Sequence, residues 1–234
     1  MDYDPLILLD NPVWHALQTT HKPFAIGTPA ISRYPADILP FLALENTGDN
    51  ALHKILPYVS AGEKLFIVGD LPALPSGCSI TTALNCAQMI CPQPVLNIPG
   101  YALPVIELGP GDMAEMFELV NRVQPGYYKE HTPLLGSYYG IKINGKLVAM
   151  AGERLRMTGA SEISAVCTLP EFTGRGFARL LVAHACRKIQ ESGGLPFLHV
   201  LTTNTRAIGL YELLRFQKRR EIIFWQVALA DGPV

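Results

Sequence analysis

A glycine-containing turn between an apolar run and an amphipathic stretch constrains this chain more than any other feature. Glu162-Ile163-Ser164-Ala165-Val166-Cys167-Thr168 reads as a strand, Leu169-Pro170-Glu171-Phe172-Thr173 as a short acidic, proline-containing loop, and Gly174-Arg175-Gly176 as the turn. From Arg175 to Glu191, apolar residues at Phe177, Leu180, Leu181, Ala185 and Ile189 keep close to the i, i+3, i+4 spacing of an amphipathic helix, which Gly193-Gly194 ends. Glycines let a backbone approach a ligand closely, and the free N–H groups and positive dipole end of a helix start suit a pyrophosphate. Arg175 adds charge nearby. Taken alone, a G-x-G turn is equally an ordinary strand-to-helix connection.

The surrounding elements narrow the choice. After Pro99-Gly100, a strand near Leu103 to Leu108 leads through Gly109-Pro110-Gly111 into a helix over Met113 to Val123. Tyr138 to Ile143 and Lys146 to Arg156 form a hairpin around Asn144-Gly145. Pro196 to Thr202 is a strand, and Thr205 to Leu214 is a helix with Ala207, Leu210, Tyr211 and Leu214 on one face. Glu221 to Val227 is the last strand. The order is strand, helix, three strands, helix, strand, helix, strand, which requires a mixed sheet with at least one parallel crossover.

Two segments together carry a resemblance. Thr173-Gly174-Arg175-Gly176-Phe177-Ala178 resembles the coenzyme-binding motif R/Q-x-x-G-x-G/A of the GNAT superfamily, with Gly176 and Ala178 in its last two fixed positions and Thr173 where Arg or Gln is usual. Asn204-Thr205-Arg206-Ala207-Ile208-Gly209-Leu210-Tyr211-Glu212-Leu213-Leu214-Arg215-Phe216 is similar to the second signature, N-x-x-A-x-x-L-Y-E-x-x-G-F, with Arg215 replacing its glycine. The resemblance covers roughly Tyr101 onward. It implies an α/β (α+β) fold with a mixed, mostly antiparallel sheet flanked by helices over 101–234, preceded over 1–100 by a smaller α/β domain. Acetyltransferases with such a leading domain often use a degenerate copy of the same fold there.

The same resemblance implies acetyl coenzyme A as co-substrate, no metal, and transfer of the acetyl group to a primary amine by direct attack in a ternary complex. Backbone groups of Val166, Cys167 and Thr168 would pair with the pantetheine arm. Thr173, Gly174, Arg175, Gly176, Phe177 and Ala178 would hold the pyrophosphate, and Asn204 would fix the arm or cap its helix. Tyr211 matches the tyrosine that approaches the coenzyme sulfur, and Glu162, eleven residues before Thr173, is the first candidate base. Glu153 is a second, with a structural ion pair to Arg154 or Arg156 its stronger reading. The acceptor is a small-molecule or peptide amine, recognised with help from the loop carrying Tyr127, Tyr128, Glu130 and His131. Two competing functions are a non-catalytic acyl-coenzyme A-binding regulatory module and a transferase for a longer acyl donor, which needs an enlarged apolar gap beyond Thr168.

Composition sets outer limits. With 49% apolar and 17% charged residues the chain buries a large core, and a net charge of −1 gives no footprint for nucleic acid. No apolar run approaches the ~18 residues of a membrane span, and Met1-Asp2-Tyr3-Asp4-Pro5 lacks a basic signal region, so the expected location is cytoplasmic. Five scattered cysteines fit reduced, buried thiols. His184 reads as packing rather than as a partner for Cys167, and Lys218-Arg219-Arg220 as a solvated edge guard. In the first hundred residues Phe24 to Ile26, Ile38 to Leu44 and Lys64 to Val68 read as strands and Ala51 to Val59 as a helix. Turn-rich stretches at 71–77 and 91–94 read as connections. This half would cover one face of the catalytic sheet, close the acceptor side, or serve to pair with a second copy.

Overall fold

The computed structural model describes residues 5–46, 51–93 and 104–229. The first half contains α1 (Pro5–Leu8), α2 (Pro12–Gln18), β1 (Ile26–Thr28), β2 (Ile31–Arg33), β3 (Phe41–Leu44), β4 (Lys64–Val68) and β5 (Cys78–Ile90). The second contains β6 (Ile106–Leu108), α3 (Met113–Val123), β7 (Tyr138–Ile143), β8 (Lys146–Met157), β9 (Ala160–Thr168), α4 (Phe177–Glu191), β10 (Leu195–Leu201), α5 (Thr205–Leu213) and β11 (Gln217–Leu229). Among the described residues all the strands join one eleven-stranded sheet, in the order β1-β2-β3-β4-β11-β5-β10-β9-β8-β7-β6. Only β3·β4 and β9·β10 run parallel.

The sheet order has a near two-fold repeat. β1, β2 and β3 pair antiparallel and β3 then pairs parallel with β4; β7, β8 and β9 do the same before β10. At the centre the halves exchange strands: β11 lies between β4 and β5, and β5 lies between β10 and β11. The expected division near residue 100, with Pro94, Pro99-Gly100 and Leu103, lies outside the described residues.

Local chemistry explains the second half element by element. Asn144 (φ 52°) and Gly145 (φ 76°) make the left-handed two-residue turn that the twist of a β7–β8 hairpin demands. α4 buries Leu180, Leu181, Ala185 and Ile189 against β8 and β9, each large side chain worth about 1.5–3 kcal/mol. Its C-terminus closes when the Gly194 N–H donates to the Ile189 carbonyl at 2.9 Å, with Gly193 at φ 80°. On the opposite face α2 packs across β8 and β3, so Leu17 and Leu155 belong to one apolar cluster drawn from both halves.

The first half departs from its sequence reading at several points. Lys22–Phe24 is a 3-10 turn and the strand begins at Ile26. Pro40 carries no N–H to donate and stands just before β3, which starts at Phe41. Ala51–Tyr58 is a 3-10 helix with Pro57 inside it, rather than an α-helix. The thirteen-residue β5 has no counterpart in the sequence reading at all. β11 is flanked by β4 only from Phe224 to Ala228, so Lys218-Arg219-Arg220 lies where β5 alone pairs with it; Arg219 and Arg220 reach Asp10 at 2.8 and 2.7 Å, and Lys218 reaches Glu221 at 2.6 Å.

Candidate functional site

The parallel pair β9·β10 is hydrogen-bonded only at its start, from Leu195↔Ala160 to Phe197↔Glu162. Beyond that point the strands part. β9 turns along β8 through a bulge in which Ala165 and Val166 together face Ala151, and Ala165 takes φ 50°. A left-handed non-glycine residue costs on the order of 1–3 kcal/mol, a strain that here accompanies the opening of the sheet. β10 meanwhile keeps its other edge on β5 through Leu201↔Cys86. The gap opens into a cleft of about 880 Å³.

At its outer end the cleft meets the glycine turn. Gly174 and Gly176 hold φ 76° and 77°, and Gly176 is the N-cap of α4, so the first N–H groups of a fifteen-residue helix open on the cleft. Thr173, Gly174, Gly176, Phe177 and Ala178 line it. Arg175 does not; its guanidinium stacks over Phe172, 4.9 Å from the ring centre. The cations that do line this end are Arg179, one turn into α4, and Arg206, at the start of α5. Neither was singled out from the sequence, although each sits in the first turn of a signature helix. The Thr173 hydroxyl donates to the Pro170 carbonyl at 2.9 Å, bracing the turn.

Val166, Thr168, Asn204 and Tyr211 line the middle. Thr168 Oγ1 is buried without a hydrogen-bond partner among the described residues. Asn204 caps α5 by accepting from the Ala207 N–H at 3.1 Å. Tyr211 is 8% exposed; burial, with Cys167 close by, pushes its phenol up to about 12. Cys167 is buried on the other side of β9, where burial pushes its thiol up to about 12, and it does not line the cleft. Arg215, in the family's glycine position, adopts φ 69° and keeps the left-handed turn after α5.

At the inner end stands a rail of polar side chains, one from each of five neighbouring strands. Arg154 (β8) donates through Nε and Nη2 to Glu162 (β9) at 2.9 and 2.5 Å. His199 (β10) lies with Nδ1 at 2.7 Å from the same carboxylate. Gln88 (β5) lies with Nε2 at 3.0 Å from His199 Nε2, and Arg219 (β11) donates to Gln88 Oε1 at 2.8 Å. Because Gln88 Oε1 faces Arg219, its amide donates to Leu9 O at 2.7 Å and to His199 Nε2, which leaves His199 its proton on Nδ1 to give to Glu162. Both ends of the rail sit at bulges: Arg154 and Leu155 share one partner residue, and Arg219 is extra between Lys218 and Arg220.

Glu162 is fully buried and both its oxygens are engaged. Burial alone would raise its carboxyl; the Arg154 charge and His199 outweigh it and hold it down at about 2. Glu153, as read from the sequence, is a structural partner, accepting from Ser161 and lying 3.3 Å from Arg156. Of the loop residues, Tyr127 reaches the cleft, the buried Tyr128 and Glu130 line a separate hollow of about 300 Å³, and His131 sits at the surface 2.7 Å from Asp37. His184 packs against Tyr139, ring centres 4.6 Å apart. Among the described residues no three His, Cys, Asp or Glu side chains gather as a metal site, and no helix is long and apolar enough to cross a membrane.

A mixed sheet opened between two parallel strands, with a helix N-terminus at the mouth of the gap, defines an acyltransferase type of fold. Comparison with known proteins identifies it. A family described as FR47-like protein matches residues 138–225. A GNAT-family protein from Novosphingobium aromaticivorans is 30% identical, with a TM-score of 0.86 over 96% of this chain and 99% of its own. The chain belongs to the GNAT family. A GCN5-related N-acetyltransferase from Kribbella flavida (14% identity, TM-score 0.66, 99% and 98% covered) and a GCN5-related N-acetyltransferase-like protein from Streptococcus suis 89/1591 (14%, 0.59, 94% and 96%) share the fold. No curated protein matches.

Proposed function

We propose that the protein is a cytoplasmic N-acetyltransferase that moves an acetyl group from acetyl coenzyme A to a primary amine within a ternary complex. The observation that carries this reading is the cleft itself, which runs without interruption from the free amides of α4, past Tyr211, to the inner rail. The amides of Thr173–Ala178, with Arg179 and Arg206, hold the pyrophosphate. The orphaned Thr168 hydroxyl is a ready partner for the amide-bearing pantetheine arm, and the Asn204 side chain lines the same path. Backbone N–H groups at the Ala165–Val166 bulge polarise the thioester carbonyl.

The amine nitrogen forms the new C–N bond as the C–S bond breaks, and Tyr211 donates a hydrogen bond to the sulfur as charge collects there. Complete transfer of the phenol proton, from a group at about 12 to a thiol near ~8.5, is uphill, so Tyr211 stabilises the leaving sulfur rather than surrendering its proton. The proton that ends on the thiol comes from the nitrogen by way of cleft water. Glu162, held at about 2, fixes Arg154 in place instead of receiving that proton. A longer acyl donor is a second reading, favoured by the apolar extension of the cleft along Phe41, Leu84 and Phe224.

Calorimetric titration with acetyl coenzyme A and coenzyme A, followed by thiol release with a panel of amines and with acetyl and octanoyl donors, tests the proposal. Micromolar binding and amine-dependent release support it; no binding to folded protein removes it. Tyr211→Phe should lower kcat about 100-fold with little change in coenzyme affinity. Equal losses in both would remove its assigned part.

A further inference from the structure

Resting on the acyl-transfer reading, the geometry points to an acceptor that carries its own carboxylate beside the amine, with an apolar side chain: the amino-acid class, its carboxylate held by Arg154.

The guanidinium is fixed before any ligand arrives. Its Nε–Nη2 edge is tied to Glu162, and its centre lies 5.0 Å from the Phe41 ring centre and 5.8 Å from that of Phe224. Nη1 makes no hydrogen bond among the described residues, and Arg154 lines the cleft with 15% of its side chain exposed. A planar fork with one edge anchored and another open is shaped for a second oxyanion. Leu84, Cys86 and Tyr127 line the same cleft as Arg154 and the Phe41 and Phe224 rings. Such a chamber takes an apolar side chain, and Cys86 adds no charge because burial pushes its thiol up to about 11.

The acyl chain is the competing occupant of that chamber, and Arg154 decides between them. A hydrocarbon tail would strip water from the free Nη1 N–H groups and return no acceptor, a loss for a buried cation. A carboxylate satisfies them. Glu162 lies on the opposite edge of the guanidinium, so the cation separates the two acids, and His199 and the Gln88–Arg219 pair complete its other side.

The full-length protein, loaded with coenzyme A for binding and acetyl coenzyme A for turnover, is presented with two matched sets. These are L-phenylalanine, L-phenylalaninamide and 2-phenylethylamine, and L-leucine, L-leucinamide and 3-methylbutylamine. The acids should bind, and react in kcat/KM, about 10- to 100-fold better than the amide or the amine, the worth of one charge-assisted pair. Equal or better use of the amide or amine, or no saturable binding of either acid, overturns the proposal. Acids that bind selectively without thiol release remove the transfer reading and leave the carboxylate subsite standing. If coenzyme itself does not bind, the same titrations on the free protein decide.

Arg154→Met alone strands Glu162, so the informative variant is Arg154→Met with Glu162→Gln, which leaves His199 an acceptor. It should fold and lose the preference for the acid. A folded double variant that keeps the preference overturns the role of Arg154.

Discussion

Replacing Arg154 by Met tests whether the inner rail is held together by charge. Glu162 is 0% exposed, and its fall from an ordinary 4.5 to about 2 corresponds to roughly 3 kcal/mol of stabilisation by its partners. Stranding a buried charge costs about 3–5 kcal/mol, which for a chain of this size lowers Tm by roughly 10 °C. The assay is thermal unfolding at pH 7 and at several lower pH values. In the wild-type protein the folded carboxyl sits below its unfolded value, so its contribution is complete above about 4.5 and is lost as pH falls through about 2. In the variant, burial is opposed only by His199, the folded carboxyl sits above its unfolded value, and protonation on acidification relieves the cost. The two stability curves should therefore converge toward acid. A constant offset at every pH, or no loss at pH 7, refutes the reasoning.

Gly176→Glu places a side chain at φ 77° and a negative charge at the α4 amides; it should weaken coenzyme binding at least 100-fold by calorimetry, with a folded circular-dichroism spectrum. Arg215→Gly removes a left-handed non-glycine residue and should raise Tm by about 1–4 °C. Cys167, 1% exposed with its thiol pushed up to about 12, should resist iodoacetamide in the folded protein, and mass spectrometry during turnover should show no acyl-enzyme.

The elements that sequence revealed are those with local causes. Asn144-Gly145, the periodic apolar residues of α4 and the glycines around it act within a few residues of themselves, and the structure places each where the pattern does. β5 escaped because its inner half, Cys86 to Met89, is buried on both faces while its outer half is largely open, so no alternation marks it. Phe41, Leu84 and Phe224 reach the cleft from β3, β5 and β11, and the neighbours of the last two are set only by the strand exchange. Glu162 stood out in the sequence as the candidate base, yet its partners lie 8 and 37 positions away, at distances set by bulges and register. A sequence pattern carries no register, and so it could not show that this carboxylate is already spoken for.

The exchange of strands at the centre of the sheet also has a consequence in time. β11 must enter between β4 and β5, both of which leave the ribosome long before it. At 5–20 residues per second, the stretch from the end of β5 to the start of β11 takes roughly 6–25 s to synthesise. Through that interval β4 and β5 lack the strand that will join them, and the inner rail lacks Arg219. The acceptor chamber, lined by Phe224, therefore comes into being only when the last strand closes the sheet, and the nascent chain carries two apolar edges until then.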